Sequence, residues 1–143
     1  MKTGRKTMDL DAFELVPIGL VRSGLTSPEE APKQSFEGGV EAHLEIDPRF
    51  TDALEGVVKG QEIILLTWLH QSDREVLKVH TRGDPEIPLA GVFATRSPAR
   101  PNPIGLHRTT VIQVDGLTLK VHPIEAIDGT PVIDIKTCFE AVC

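Results

Sequence analysis

The sequence predicts an all-β fold, a compact β-barrel with long irregular loops and at most one or two short helices. Three observations favour this class. The apolar runs are short, they follow one another closely, and turn residues such as glycine, proline and aspartate separate them. No Gly-x-Gly-x-x-Gly turn joins a strand to a helix, and no long helices alternate with the strands, which argues against a Rossmann domain.

The first third of the chain predicts two strands and one short helix. Residues 15–21 form the first apolar run, and residues 40–46 alternate apolar and polar side chains as a half-buried strand does. The polar stretch 23–39 between them predicts a long loop. Residues 48–56 predict one or two helical turns, because proline stands near the start and glycine follows the end.

The middle third combines a buried strand with a stiff loop. Residues 62–70 are almost continuously apolar and predict the strand at the centre of the core, and residues 76–80 predict a shorter strand before a turn at 83–85. Three prolines then stand within six positions, at 98, 101 and 103. Because proline has no backbone donor and a fixed φ, this segment predicts a rigid, irregular loop rather than a strand.

The last third contains two hairpin signals. Asp115-Gly116 and Asp128-Gly129 each follow a strand-like run and precede another, and such dipeptides favour the tight turns of antiparallel hairpins. The sequence therefore predicts that the strand-like runs at 111–114, 117–121, 124–127 and 131–135 follow one another through tight turns.

Length and composition predict one cytoplasmic domain. The chain has 143 residues, of which we assign 1–14 to an N-terminal extension and 15–143 to a single barrel domain. No apolar run reaches the roughly 18 residues that a membrane helix needs, and no secretory signal is evident. Cys138 and Cys143 match neither a disulfide framework nor a zinc site, and are expected to be reduced thiols.

The charge distribution argues against a broad basic face. The net charge is −6, so the chain is not expected to coat nucleic acid through many phosphate contacts. Residues 87–114, however, contain Arg96, Arg100 and Arg108 and no acidic residue. This distribution predicts a small basic patch on an acidic body, suited to a focused contact.

Several side chains are candidates for chemistry. Arg96, Arg100 and Asn102 lie on the proline-rich loop, where they suit a planar, anionic or nucleotide-like ligand or are simply solvated. His70, at the end of the apolar strand, is a candidate proton carrier or a histidine bound to a carbonyl group. Turn formation alone explains Asp128-Gly129, whereas Glu125, three residues before Asp128, is a candidate acceptor for a ribose or an amine, or a partner for a cation. No metal site is predicted, because the remaining histidines lack ligands at metal spacing: His43, His80, His107 and His122.

Four motifs together resemble one known family. They are PKQ at 32–34, WLHQ at 68–71, GVFATRSPARPNPIGL at 91–106 and EAIDGTPVIDIK at 125–136. The resemblance is to the TrmO/TsaA-like (YaeB-like) family of S-adenosylmethionine-dependent tRNA methyltransferases and covers about residues 15–137. It implies a β-barrel homodimer that binds S-adenosylmethionine near the subunit interface and methylates N6 of threonylcarbamoyladenosine next to the anticodon.

The resemblance also implies residue roles. Arg100 and Asn102 are then left for the RNA substrate, and His70 and Asp128 are the candidate catalytic bases. Other functions remain open: methylation of a small molecule or another nucleotide, or a non-catalytic barrel that binds a nucleotide-like ligand. The implied cofactor contacts are Pro32, Lys33, Gln34, His70, Gln71, Arg96, Leu106, Glu125, Ala126, Ile127 and Asp128.

Overall fold

The computed structural model describes residues 12–25 and 39–139 of the chain. These residues form short strands and 3₁₀ helices, and none of their helices is long and apolar enough to cross a membrane. The 3₁₀ helices are Pro48–Leu54, Thr81–Gly83 and Val92–Ala94. The strands are β1 Gly19–Arg22, β2 Val40–Ile46, β3 Glu62–Trp68, β4 Lys78–His80, β5 Leu89–Gly91, β6 Ile104–Asp115, β7 Thr118–Ile124 and β8 Pro131–Thr137.

Six of these strands close into an antiparallel barrel. Their order around the barrel is β1-β2-β7-β6-β3-β8, and β4 pairs with β5 in a separate two-stranded sheet. The predicted all-β barrel is thus confirmed. Closure leaves the six strands without a free edge, which removes the liability that an open sheet presents to other chains.

The core lies inside the barrel and follows from strand alternation. On β2 the buried residues alternate with exposed ones, and β3 buries Ile63, Leu65 and Thr67 while its other side chains are half-buried. Successive side chains of a strand point to opposite faces, so each strand supplies every second residue to the interior. The fully buried apolar side chains include Val21, Leu44, Leu65, Leu119, Val121, Ile124 and Val132.

One end of the barrel is closed by the 3₁₀ helix Pro48–Leu54. Asp47 caps this helix by accepting a hydrogen bond from the Arg49 backbone N–H at 2.8 Å. Phe50 and Leu54 pack against the core, and a cavity of about 350 Å³ lies between them and β8. The predicted helical turns are confirmed, and their apolar side chains close this end, hereafter the closed end.

The opposite end, hereafter the open end, is where residues of the three described motifs, at 68–71, 91–106 and 125–136, join the strands. The last residues of β1, β7 and β3 and the first residues of β2, β6 and β8 lie there, because neighbouring strands run antiparallel. Three connections join these ends, at 23–39, 69–103 and 125–130. Of the predicted cofactor residues, Pro32, Lys33 and Gln34 lie outside the described residues. Topology therefore brings motifs far apart in sequence to one end of the barrel.

Two expectations from the sequence are wrong. Asp115-Gly116 does form the β6–β7 hairpin, but β7 and β8 are not neighbours, so Asp128-Gly129 does not close a hairpin. Gly129 nevertheless has a φ of 84°: the dipeptide specifies the bend, whereas distant strands determine the pairing. Cys138 is disulfide-bonded rather than reduced, because one bridge needs only two cysteines and no framework of four or more; Cys143 lies outside the described residues.

Candidate functional site

The turn 125–130 is fastened to the segment that follows β1. Ser23 donates through Oγ to the Ala126 carbonyl at 2.9 Å, and the Asp128 backbone N–H donates to the Leu25 carbonyl at 2.6 Å. Val40, the first residue of β2, pairs with Ile124 at the end of β7. The described residues on both sides of segment 26–38 therefore lie against the part of the chain that holds Glu125 to Asp128.

The Asp128 side chain connects this turn to the end of β1. Its Oδ1 accepts a hydrogen bond from the Ser23 backbone N–H at 3.1 Å, and its Oδ2 lies 3.9 Å from Arg22 Nη1. The side chain remains exposed, whereas Ala126 and Ile127 are 3% and 9% exposed. Asp128 thus has a structural role in addition to any role as a base.

A chain of polar side chains lies just inside the barrel at this end. His107 Nδ1 lies 2.6 Å from Glu125 Oε1, and His107 Nε2 lies 2.7 Å from Thr67 Oγ1. The side chain of His107 is 4% exposed and that of Glu125 is 13% exposed. Such short contacts in a site of low dielectric fix the imidazole ring at both nitrogens.

Two buried polar atoms in this region, one of them on Glu125 itself, have no hydrogen-bond partner in the described part of the chain. Among the described residues, Glu125 Oε2 and Thr109 Oγ1 are buried without a hydrogen bond. Thr109 follows His107 by two residues on β6, so its side chain shares the inward face. Leaving a buried polar atom unpaired costs about 1–3 kcal/mol. This cost makes both atoms candidates for contact with a water molecule or a ligand.

His70 and Gln71 lie in the turn that follows β3. Both are exposed, and this turn is tied to the start of β6 because the Leu69 N–H donates to the Pro103 carbonyl at 2.7 Å. A further bond, from the Ser72 N–H to the Leu69 carbonyl at 2.9 Å, closes the turn. The structure therefore places these two predicted residues at the open end.

The proline-rich loop is braced by two arginines. Arg100 donates through Nη1 to the carbonyls of Thr95 and Ser97 at 3.1 and 3.0 Å. Arg74 donates through Nε to the Pro101 carbonyl at 2.7 Å, and its guanidinium lies 5.0 Å from the centre of the Trp68 ring. Its Nη2 also donates to Asn102 Oδ1 at 3.4 Å. The loop is held in one shape by its own Arg100 and by Arg74 from the turn after β3, which agrees with the rigid loop that its prolines predict.

Phe93 and Arg96 extend from the same loop into solvent. The Phe93 side chain is 80% exposed, and the Arg100 guanidinium lies 5.9 Å from its ring centre. Arg96 is also exposed. An exposed ring beside a fixed guanidinium is a surface on which a planar group can stack.

Leu106 faces the outside of the barrel. Its neighbours on β6, Gly105 and His107, are buried, whereas Ile104 and Leu106 are 44% and 50% exposed. Strand alternation places Leu106 on the outer wall and His107 on the inner wall. Two of the predicted cofactor residues, Leu106 and Glu125, therefore lie on different surfaces of the chain.

Sequence analysis missed His107 and Thr67. Alternation along residues 104–111 carries the relevant signal, since a histidine at an inward position of a buried strand requires polar partners. The identity of those partners depends on which strands are neighbours, and this information is absent from the local pattern.

Comparison with known proteins identifies the family. Residues 20–142 match the model of the tRNA-methyltransferase O N-terminal domain. The chain belongs to this family. The resemblance that four motifs predicted is therefore confirmed.

Two relatives in the TrmO N-terminal family align with most of this chain. A protein of Methanothermobacter thermautotrophicus, named a probable S-adenosyl-L-methionine-binding protein, is 40% identical over 126 residues, which cover 88% of this chain and 90% of that protein. An S-adenosyl-L-methionine-binding protein of Archaeoglobus fulgidus is 39% identical over 122 residues, covering 85% of this chain and 86% of its own length.

Solved TrmO structures share the barrel. TrmO from Pseudomonas aeruginosa aligns with a TM-score of 0.75 and 30% identity, covering 93% of this chain and 59% of that one. Another TrmO crystal structure gives a TM-score of 0.74 and 33% identity, with 92% and 59% covered. This chain thus spans about three fifths of the length of the solved TrmO chains.

Proposed function

We propose that this chain is an S-adenosyl-L-methionine-dependent methyltransferase that methylates N6 of threonylcarbamoyladenosine next to the anticodon of tRNA. The observation that carries the proposal is that two motif-bearing connections, 69–103 and 125–130, meet the barrel at the open end, where the largely buried Glu125 carboxylate has one oxygen without a hydrogen-bond partner among the described residues. The names of the relatives support S-adenosyl-L-methionine as the cofactor, and the similarity to TrmO structures supports methyl transfer as the reaction. A tRNA substrate implies a cytoplasmic location.

The residues at the open end fit the cofactor. Glu125 Oε2 offers an acceptor for a ribose hydroxyl or an amino group, and Ile127 and Leu106 offer apolar surface to an adenine ring. Arg96 suits the methionine carboxylate. The predicted contacts of Pro32, Lys33 and Gln34 complete the set. When bound, the cofactor supplies an electrophilic methyl group on a sulfonium centre.

The protein contributes alignment and a proton acceptor. In-line displacement requires the attacking nitrogen to be held on the axis of the breaking bond. The turn 125–130 and the proline-rich loop, both held in place by hydrogen bonds, are rigid enough to position the substrate in this way. The nitrogen also loses a proton. His70 is exposed at the rim and is one candidate base; Asp128, the other, already accepts a hydrogen bond from Ser23.

The RNA side of the site is the proline-rich loop. Arg100 and Asn102 are the predicted substrate residues, and Phe93 adds an exposed ring on which an unstacked base can pack. Stacking of a base on an aromatic side chain contributes about 1–3 kcal/mol. This loop belongs to the acid-free segment 87–114, which suits contact with a phosphate backbone.

A homodimer reconciles the positions of Leu106 and Glu125. Leu106 lies on the outer wall and Glu125 inside, so a second copy packed on the outer wall of β6 would turn this surface into part of an enclosed site. Ile104 adds apolar area to the same wall.

The decisive experiment is calorimetric titration with S-adenosylmethionine, followed by methyl transfer to threonylcarbamoylated tRNA. We expect binding and transfer, and tRNA without the threonylcarbamoyl group serves as the control. Binding without transfer would leave a methyltransferase of a small molecule or another nucleotide, for which the net charge of −6 is an argument. Absence of binding would leave a non-catalytic barrel for a nucleotide-like ligand and overturn the proposal.

A further inference from the structure

We propose that His107 is a positioning residue that acts through Glu125. By holding Oε1 of Glu125, it directs Oε2 of the same carboxylate toward a hydroxyl or amino group of the cofactor. This inference rests on the proposed function, because the ligand is the S-adenosylmethionine assigned there. It adds residues that neither the motifs nor the comparisons assign: His107, Thr67 and Gly105.

The hydrogen bonds occupy both nitrogens of the ring. A carboxylate oxygen accepts, so His107 Nδ1 carries the proton that is donated to Glu125 Oε1 across 2.6 Å. His107 Nε2 shares a hydrogen bond of 2.7 Å with the Thr67 hydroxyl, which can act as donor or acceptor. Both ring nitrogens are used within the protein, which leaves the ring unable to bind substrate directly. Its effect must pass through Glu125.

The backbone reserves space for this arrangement. A Cβ atom at Gly105 would lie 2.6 Å from Thr67 Oγ1 and 2.8 Å from His107 Nε2. Real Cβ atoms do not approach polar atoms so closely, so a side chain at this position would displace the ring or the hydroxyl. Gly105 thus allows the pair to form beside it.

The burial of the pair points to function rather than stability. A buried ionic or polar pair rarely stabilises a fold more than apolar side chains of similar volume. Here the pair also leaves Glu125 Oε2 buried and unpaired among the described residues. A ligand that donates a hydrogen bond to Oε2 would remove this cost, and the carboxylate accepts it without reorganisation because His107 already holds its orientation.

A double-mutant cycle tests whether His107 acts through Glu125. The variants are His107→Leu, Glu125→Gln and their combination, and calorimetry gives the Kd of each for S-adenosylmethionine. We expect each single variant to weaken binding at least about tenfold, and the double variant to bind no worse than Glu125→Gln. His107→Asn, which keeps a donor near the Nδ1 position, should recover part of the affinity.

Matched controls separate positioning from folding. His43→Leu makes the same change on an exposed position of β2 and should leave the Kd unchanged. Thr67→Val keeps the shape of the side chain and should weaken binding by a smaller factor than His107→Leu. Thermal melting of each variant verifies folding. If His107→Leu fails to fold, the cycle is run with His107→Asn. If the factors by which the two single variants raise the Kd multiply in the double variant, the inference is overturned.

Nitrogen-15 NMR of the histidine rings tests the pairing without the cofactor. The His107 signals should show a protonated Nδ1, and Glu125→Gln should shift the Nδ1 signal while leaving that of His43 in place. If the wild-type protein binds no S-adenosylmethionine, the proposed function fails, whereas the NMR result still judges the coupling of His107 to Glu125. A His107 Nδ1 signal that does not change in Glu125→Gln would overturn the coupling itself.

Discussion

Neighbouring positions on one strand carry different parts of the site. Leu106 and His107 are adjacent in sequence, yet one lies on the outer wall of the barrel and the other is 4% exposed inside it. Family motifs identify Leu106, and only the folded barrel shows that His107 meets Glu125 and Thr67. Residue roles that depend on sequence patterns are thus predictable, while roles that depend on a partner from another strand are not.

At His70 we predict a selective loss of turnover. His70→Ala should lower the rate of methyl transfer by about 10²–10⁴-fold, the usual contribution of a general base, with a much smaller change in the Kd for S-adenosylmethionine. Single-turnover kinetics at saturating cofactor, together with calorimetry, measures both. The neighbouring Gln71→Ala is the comparison, since a residue that only binds cofactor should change Kd more than rate. An unchanged rate for His70→Ala would leave Asp128 as the candidate base.

At Gly105 we predict overpacking. Gly105→Ala places a methyl group 2.6 Å from Thr67 Oγ1 and 3.0 Å from Leu69 Cδ2, so neighbouring side chains must move. We expect the free energy of unfolding to fall by about 1–3 kcal/mol, measured by urea denaturation. Gly91→Ala is the matched control, because the nearest atom to its new Cβ lies 3.9 Å away. Equal stability of the two variants would contradict the packing described here.

At the scale of elements, local patterns and distant pairings differ in how well they are predicted. Alternation in residues 40–46 gives β2 with its observed bounds, because one buried face dictates a period of two. The turn at Asp128-Gly129 bends as predicted, but β8 pairs with β3 and β1 instead of β7. Strand neighbours are decided by barrel closure, which no window of sequence contains. The sequence assigned these motifs to one site only through the resemblance to a family, because no local pattern shows that they meet at the open end.

The ion pair between β3 and β6 predicts a pH dependence. Glu62 accepts two hydrogen bonds from Arg108, at 3.0 and 3.1 Å, and this guanidinium lowers the pKa of the Glu62 carboxyl below its usual value. A lowered folded-state pKa means that the stabilisation is complete above the unfolded pKa and is lost as the pH falls through the folded one.

The measurement is thermal melting of wild type and Glu62→Gln across a pH series. The wild type should melt higher near neutral pH, and the difference should shrink in acid and in concentrated salt, since both groups are half-exposed. Arg108→Gln should lower the melting temperature by about the same amount as Glu62→Gln. A difference between wild type and Glu62→Gln that persists in acid would show that the carboxylate charge is not its source.

At the scale of the whole molecule, the outer wall of β6 predicts the oligomeric state. We expect the protein to sediment as a dimer and Ile104→Ser to weaken the dimer at least about 100-fold, because one apolar side chain is lost from each copy. Val58→Ser is the control, since Val58 is 56% exposed near the closed end. A wild-type monomer would mean that Leu106 meets no second copy, and the site would then consist of one chain.

The uneven charge of the molecule predicts how tRNA binding responds to salt. The chain carries a net charge of −6, so under the proposed function we expect RNA contacts to concentrate on the acid-free segment 87–114. Because each neutralised phosphate of a single strand adds about 0.7 to the slope of log K against log salt, a focused contact gives a shallow slope. Arg100→Gln should weaken binding and reduce that slope. Phe93→Leu should weaken binding at an unchanged slope, since it removes stacking area and no charge.

Two further variants test a cation on the proline-rich loop and one near the closed end, with filter binding of threonylcarbamoylated tRNA over a salt series as the measurement. Arg96→Gln should reduce affinity for S-adenosylmethionine and leave the salt slope for tRNA unchanged, because its predicted partner is the methionine carboxylate. Lys59→Gln, near the closed end, should change neither affinity. A slope reduced by Lys59→Gln as much as by Arg100→Gln would mean that RNA contacts the acidic body broadly, and the proline-rich loop would then have no special part in recognition.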